Sequence, residues 1–183
     1  DESEDPIIIE IYAKQFAWQA RYAGADNTLG LGNVNFIDET NNPIGVDLSD
    51  PASLDDKPVT ELHLPKGKKV LFKFRSQDVL HSAYMPHFRA QMNCVPGMVT
   101  QFAFTPKYTT EEMREQSEVM DKVRGINKIR SEKGEDLYEF DYVLLCNKIC
   151  GASHYSMQMK IVVEEEEDYK QWLAEQPTFA EKL

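Results

Sequence analysis

Four side chains that bind soft metals lie within a dozen residues near the end of the sequence. The stretch CNKICGASHYSM holds Cys146, Cys150, His154 and Met157. Thiolate, imidazole and thioether ligands together favour copper, because soft sulfur binds Cu(I) while imidazole also suits Cu(II). Structural zinc sites rarely use methionine, and calcium and magnesium prefer oxygen ligands. The pattern therefore predicts a copper site, in which two thiolates with spare lone pairs could bridge two metal ions.

A histidine from elsewhere in the chain is needed to complete such a site. The candidates are His63, His81 and His87. His81 follows the strand-like run KKVLFKFRS, where a connecting loop would reach the same end of a β-fold as Cys146. His63 alternates within ELHL and is predicted to lie on a strand surface. We therefore favour His81, and Asp78 could orient its ring or a neighbouring backbone group.

The elements that must position these residues are mostly strands. Seven short segments are rich in β-branched or aromatic residues, and many of them alternate apolar with polar residues. They are IIIEIYA, KQFAWQARY, VTELHL, KKVLFKFRS, VTQFAF, LYEFDYVLLC and MQMKIVV. Turn-forming clusters such as GADNTLGLGN and TNNPIG separate them. This pattern predicts an all-β fold, an antiparallel sandwich or barrel.

Two segments break the strand pattern and are predicted to be helices. The first, residues 109–133, opens with Thr109 and Glu112 in capping-box spacing and carries apolar residues near helical spacing. It forms an insertion of about residues 107–136 between strands. The second, EEEEDYKQWLAEQ, covers about residues 164–176 and begins with four glutamates, which favour the positive end of a helix.

Length and charge limit the domain count and the partners. A chain of 183 residues with 42% hydrophobic residues predicts one domain over residues 1–183. The net charge of −11 argues against nucleic acid and anionic membrane surfaces as binding partners. Binding to a basic partner, or solubility alone, would explain this charge.

No apolar run approaches the roughly 20 residues of a membrane-spanning helix. The acidic start DESEDP, without an initiator Met, is typical of an excised ectodomain whose anchoring part is missing.

The cysteine count does not indicate a disulfide scaffold. Three cysteines are an odd number, and Cys94 stands apart from the other two in MNCVPGM. A free cysteine is among the most buried residue types, so Cys94 is predicted to be a packed and inert thiol.

The two histidine-bearing motifs resemble a known family. DVLHS together with C-x3-C-G-x2-H-x2-M is similar to the dinuclear copper A site of subunit II of haem-copper cytochrome c oxidases. The resemblance extends through QFAWQARY and YMPHFRAQMNCVPGM and covers the chain from about Lys14 to Val163. It implies a cupredoxin-like Greek-key β-sandwich, with an inserted helix and a C-terminal helix, that lies outside the membrane.

Carried over to this sequence, the family pattern implies two copper ions and six ligands. Cys146 and Cys150 would be bridging thiolates, and His81 and His154 would be terminal imidazoles. Met157 would be a weak axial thioether ligand, and Lys148 would bind through its backbone carbonyl.

The resemblance also implies a role within a larger complex. The domain would accept electrons from a cytochrome c type donor and pass them to haem in the catalytic subunit I, without catalysis of its own. It would lie on the periplasmic or intermembrane-space face of a respiratory membrane, attached through anchors that precede the given sequence.

Three departures from the family pattern bear on these expectations. The family commonly has glutamate where Lys148 stands, and a lysine cannot help to bind magnesium, which argues against the family's magnesium site. Phe16 occupies the place of the family's exposed tryptophan and Trp18 follows two residues later, so both are candidates for the point where electrons enter. The spacing from His81 to Cys146 is longer than usual, and the inserted helix accounts for the excess.

Three other functions are compatible with parts of the sequence. The copper A domain of nitrous oxide reductase has a similar ligand loop, but the order of flanking segments and the lack of a propeller domain argue against it. A copper chaperone or thiol-redox protein could use the C-x3-C pair, although such proteins usually alternate strands with helices. A β-sandwich binding module with a disulfide or buried Cys pair would leave His81, His154 and Met157 unexplained together.

Overall fold

The computed structural model describes residues 5–182. Residues 1–4 of the acidic start and residue 183 lie outside the described residues. Ten strands account for most of the regular structure. They are β1 (Ile7–Lys14), β2 (Ala17–Tyr22), β3 (Lys57–Val59), β4 (Leu62–Pro65), β5 (Val70–Ser76), β6 (His81–Met85), β7 (Ala90–Cys94), β8 (Thr100–Phe104), β9 (Tyr142–Cys146) and β10 (Gln158–Glu164).

The strands form two sheets of five. One sheet has the order β3-β2-β1-β5-β8, and the other has the order β4-β10-β9-β6-β7. The pairs β1–β5 and β10–β4 are parallel, and the other pairs within the sheets are antiparallel. The sheets are thus mixed rather than purely antiparallel, while the predicted all-β class is confirmed.

The two sheets share one hydrophobic core. Strand β5 shows the alternation that builds it, because Val70, Phe72 and Phe74 are buried while the residues between them are partly exposed. Buried side chains of the other sheet, such as Leu144 and Ile161, belong to the same core cluster. Burial of these apolar side chains is the main favourable contribution to folding.

A buried arginine stabilises the long irregular segment between β2 and β3, residues 23–56. Arg21 is 1% exposed and donates at 2.7 Å to each of three acceptors, the carboxylates of Glu10 and Asp56 and the carbonyl of Gly30. Burial raises the pKa of the Asp56 carboxyl to about 7, against the opposing effect of the Arg21 charge. The segment contains a 3-10 helix at Val34–Phe36 and one short α-helix, α1 (Pro51–Leu54), which the side chain of Asp50 caps.

The predicted inserted helix consists of two helices. These are α2 (Thr110–Arg114) and α3 (Ser117–Lys133), and the chain turns between them at residues 115–116. The predicted capping box is present, since Thr109 and Glu112 each bond the other's backbone N–H. Helix α3 is capped at its C-terminal end by Gly134, whose φ of 70° is left-handed.

Side chains of the insertion also explain why one predicted strand is shorter than expected. The run LYEFDYVLLC becomes a strand only from Tyr142. Before it, Asn127 pairs with both backbone groups of Tyr138, and Arg114 donates to the carbonyl of Phe140. These side chains supply bonds that a neighbouring strand would otherwise provide.

The C-terminal part folds as α4 (Glu166–Glu175) and α5 (Phe179–Lys182). Helix α4 covers β4, and Trp172 stacks on the His63 ring at a centroid distance of 3.9 Å. His63 is therefore buried, and the prediction that it lies on a strand surface was wrong. None of the helices formed by residues 5–182 combines the length and the apolar character of a membrane-spanning segment.

Candidate metal centre

Two neighbouring strands bring the predicted residues together. His81 is the first residue of β6 and Cys146 is the last residue of β9, and the antiparallel register pairs Ala83 with Cys146. His81 thus begins a strand rather than lying within the loop, but at the end of the sheet where it was predicted. The residues from 146 to 157, which we call the ligand loop, return the chain to β10 through a short 3-10 helix at His154–Ser156.

The predicted donor atoms form a continuous series of short contacts. The sulfurs of Cys146 and Cys150 lie 3.8 Å apart. His81 Nδ1 is 3.8 Å from the sulfur of Cys146, and His154 Nδ1 is 3.6 Å from the sulfur of Cys150. The Sδ atom of Met157 is 4.0 Å from the sulfur of Cys150. Each thiol is therefore flanked by its own imidazole.

The remaining predicted ligand also points toward this series. The backbone carbonyl of Lys148 lies 3.3 Å from the sulfur of Cys146, while the Lys148 side chain is exposed. A role for this residue through its carbonyl is thus compatible with any side chain.

These separations fit residues that share metal ions. Sulfur and nitrogen ligands at bond lengths of about 2.3 and 2.0 Å lie roughly 3.5–3.8 Å apart when they bind one ion tetrahedrally. The donor atoms of His81, Cys146 and Cys150 all lie within 4.8 Å of one another and could hold a metal ion. Two thiols, two imidazoles and a thioether form a soft donor set that suits copper.

The centre has a buried interior and one more open side. His81 is 0% exposed and Met157 is 1% exposed, and both cysteines are buried. His154 is only partly buried, whereas Ile149 and Tyr155 of the ligand loop are 88% and 86% exposed. His154 thus lies at the solvent side of the donor series.

All three cysteines of the chain are free thiols. Burial raises the pKa of the Cys150 thiol to about 11, and the neighbouring Cys146 adds to this rise. A metal must therefore displace protons from these thiols in order to bind. Burial raises the pKa of Cys94 to about 12, which agrees with the inert thiol predicted there.

Asp78 is hydrogen-bonded to the His81 ring, and its predicted role is to orient that ring. Its Oδ1 accepts a hydrogen bond from His81 Nε2 at 2.8 Å, and its Oδ2 accepts from the backbone N–H of Gln15 at 2.7 Å. Burial opposes ionisation of Asp78, but these bonds and one from the Val79 N–H hold its pKa below the ordinary value.

The two aromatic residues that were candidates for receiving electrons lie in different surroundings. Trp18 is 6% exposed, donates its indole N–H to the Met157 carbonyl at 3.3 Å, and has its ring 6.3 Å from that of His81. Phe16 is partly exposed and packs beside Gly151 of the ligand loop. Trp18 thus lies beneath the centre, and Phe16 lies nearer to solvent.

Sequence reasoning missed two residues of this site. Gln15 donates its side-chain amide to the carbonyl of Cys150. Gly151 has a φ of 147°, which side-chain-bearing residues rarely adopt. The glycine is visible in the motif, whereas no pattern marks the glutamine, which directly precedes Phe16.

Comparison with known proteins identifies the family of this chain. The family model of the periplasmic domain of cytochrome c oxidase subunit II matches residues 7–127, from β1 into α3. The chain belongs to the cytochrome c oxidase subunit II family. The match includes His81 and Asp78 but ends before the ligand loop, so it does not itself cover Cys146, Cys150, His154 or Met157.

Curated relatives extend the similarity beyond the family match. The alternative cytochrome c oxidase subunit 2 of Bradyrhizobium diazoefficiens is 39% identical over 178 residues, which are 96% of this chain. A cytochrome c oxidase subunit 2 of Thermostichus vulcanus is 26% identical over 112 residues, which are 61% of this chain. The aligned parts span 53% and 25% of these two relatives, so the chain corresponds to about half of the length of the first and a quarter of the length of the second.

Solved structures show that the fold is cupredoxin-like, as the resemblance implied. The periplasmic domain of subunit II (CoxB) of Bradyrhizobium japonicum superposes with a TM-score of 0.54 at 16% identity, covering 93% of both chains. A second structure is a mixed disulfide intermediate between a thioredoxin-like protein and subunit II, with a TM-score of 0.52, 15% identity and coverage of 95% and 93%.

Proposed function

We propose that this domain is the electron-transfer domain of a haem-copper cytochrome c oxidase and binds a dinuclear copper A centre. Its ligands are those implied by the family pattern, and it receives electrons from a cytochrome c type donor and passes them to haem in the catalytic subunit I. The observation that carries this proposal is the 3.8 Å separation of two free, buried thiols, each with its own imidazole within 3.8 Å.

Copper bound here would supply reversible one-electron transfer. The protein fixes the positions of its donors before any metal arrives. Asp78 holds the His81 ring, Trp18 holds the backbone of Met157, and the Asn147 N–H donates to the Ser82 carbonyl at 2.9 Å where the loop leaves β9. Rigid donors reduce the rearrangement that accompanies a change of charge.

The surroundings of the domain are part of the same proposal. The family model describes a periplasmic domain, and we infer that this chain works on the corresponding face of a respiratory membrane, attached by anchors outside the given sequence. The net charge of −11 would accelerate encounter with a basic cytochrome c in a salt-dependent way. Lys148 stands where a carboxylate would help to bind magnesium, so a magnesium ion is not part of the proposal.

A reductant is a further requirement of the proposed site. Cys146 and Cys150 lie close enough to be oxidised to a disulfide after a small movement, and a disulfide cannot provide thiolate ligands. One structure of the same fold contains subunit II in a mixed disulfide with a thioredoxin-like protein. We propose that a protein of that class keeps this cysteine pair reduced before copper loading.

The alternatives considered from the sequence have less support. A copper chaperone or thiol-redox protein would need the cysteine pair, but not the buried Met157 or two imidazoles beside the thiols. The two-sheet fold also lacks, over residues 5–182, the alternation of strands and helices usual for such proteins. The family match favours an oxidase subunit over the copper A domain of nitrous oxide reductase.

The proposed electron transfer can be tested by rapid mixing. The copper-loaded, oxidised domain is mixed with a reduced basic c-type cytochrome, and oxidation of its haem is followed by absorbance at increasing salt. We expect fast haem oxidation that slows as salt is added, and no such phase with a Cys150→Ser variant treated in the same way. Equal rates for the two proteins would refute the proposed route.

A further inference from the structure

Gln15 contacts both halves of the candidate metal centre from a third element, the turn between β1 and β2. Its backbone N–H donates to Asp78 at 2.7 Å, and the same carboxylate accepts from His81 at 2.8 Å. Its side-chain amide donates to the backbone carbonyl of Cys150, 135 positions later in the chain. One residue thus links the strand that carries His81 to the loop that carries Cys150.

The same turn contacts the ligand loop at Gly151. A β-carbon at this glycine would lie 2.7 Å from the ring of Phe16 and 2.9 Å from Nε2 of Gln15. Both distances are shorter than ordinary van der Waals contact, so no side chain fits between the turn and the loop. Outward movement of Cys150 must therefore break the hydrogen bond from Gln15 and move Gly151 away from the turn.

The turn is itself held from its other side. Glu39 accepts from the ammonium group of Lys14 and, at 3.3 Å, from the side-chain amide of Gln77. The backbone N–H of Gln77 donates at 2.9 Å to the carbonyl of Ala13. Gln15 thus extends from an anchored turn, and its bond to the loop restrains the loop rather than the turn.

We propose that Gln15 is a positioning residue that holds Cys150 beside Cys146. The importance of this role for copper rests on the proposed function, whereas the restraint itself exists without metal. Gln15 acts through the Cys150 backbone, because its amide bonds the carbonyl and not a donor atom of the centre. A local opening of the loop breaks this bond, so the bond lowers the population in which the Cys150 thiol is accessible.

The restraint is tested in the metal-free, reduced protein. Gln15→Met keeps nearly the same shape and removes the amide donor, and the alkylation rate of each cysteine by iodoacetamide is followed by peptide mass spectrometry. We expect Cys150 to react about five-fold faster, the factor that corresponds to one net hydrogen bond. Cys94 lies fully in the core and should react at its original rate.

Gln116→Met is the matched control, since it removes a glutamine amide that donates to a backbone carbonyl, that of Glu112, in the helical insertion and leaves both the ligand loop and the turn untouched. An unchanged rate at Cys150 in Gln15→Met would overturn the proposal. Equal acceleration in both variants, or of all three cysteines together, would also overturn it, because either result would indicate general loosening of the fold.

The reduction potential of the copper-loaded protein is a second measurement, which a purely structural role of Gln15 would leave unchanged. The amide of Gln15 polarises the backbone carbonyl of Cys150, whose thiolate would be a ligand, so its removal should lower the reduction potential of the centre, and Gln116→Met should not. An unchanged potential would contradict a role in the copper centre. If wild-type protein failed to form a copper centre, the proposed function would fail, while the alkylation rates would still decide the role of Gln15.

Discussion

His81 donates from Nε2 to Oδ1 of Asp78 at 2.8 Å, and its Nδ1 faces the sulfur of Cys146 at 3.8 Å. Because the carboxylate can only accept, the ring proton resides on Nε2 and the lone pair of Nδ1 is free to bind a metal. The proposed ligand atom of His81 is therefore selected by a residue three positions earlier in the chain.

Replacement of Asp78 by asparagine should weaken copper binding. Asparagine can keep a similar shape but loses the negative charge that orients and polarises the imidazole. Changes of this kind cost about 10–100-fold in metal affinity. Competition with a copper chelator measures the effect, and Asp121→Asn on the exposed face of α3 is the control. Equal affinities for the two variants would show that Asp78 does not support the site.

Either Cys146→Ser or Cys150→Ser should abolish the dinuclear centre. A hydroxyl is a poor bridging ligand for copper, and Cys94 is buried in the core with its thiol protonated, so it cannot substitute. The absorption spectrum and the copper content after loading provide the measurement. Cys94→Ala should keep the wild-type spectrum, and a wild-type spectrum in both serine variants would disprove the ligand assignment.

Met157→Leu should retain copper and raise the reduction potential. A weak axial thioether tunes a copper site rather than holding the metal, and its loss disfavours the oxidised form. The volume changes little, so folding should cost less than about 1.5 kcal/mol. Voltammetry measures the potential, and Met159→Leu, two residues later and also buried, is the control. Identical potentials in the two variants would exclude Met157 as a ligand.

Arg21→Met should destabilise the fold without touching the centre. It leaves the carboxylates of Glu10 and Asp56 buried without this cation, which costs about 3–5 kcal/mol when a buried ion pair loses one partner. Urea unfolding of the metal-free protein measures the change. Arg124→Met, on the exposed surface, should stay within about 0.5 kcal/mol. A similarly small effect for Arg21 would mean that the cluster contributes little to stability.

The sequence predicted those features whose information is local. Cys146, Cys150, His154 and Met157 occur in one loop, so their spacing alone indicated a shared site. The strand pattern predicted the all-β class, and the capping box at Thr109 predicted where helix α2 begins. Each of these signals lies within a few residues of the structure that it specifies.

Features that depend on distant packing were not predictable in the same way. The burial of His63 is caused by α4, whose Trp172 stacks on it from the other end of the chain. The role of Gln15 depends on a contact with Cys150 that no local pattern encodes. The division of the insertion into two helices at residues 115–116 also has no glycine or proline to mark it.

The most direct test of the account is an electron paramagnetic resonance spectrum of the copper-loaded domain, recorded together with the copper content per chain. The proposed centre predicts two coppers per chain that share one unpaired electron, seen as hyperfine splitting from two equivalent copper nuclei. A signal from a single isolated copper, or no copper bound by the reduced protein, would contradict the dinuclear centre and the electron-transfer function built on it.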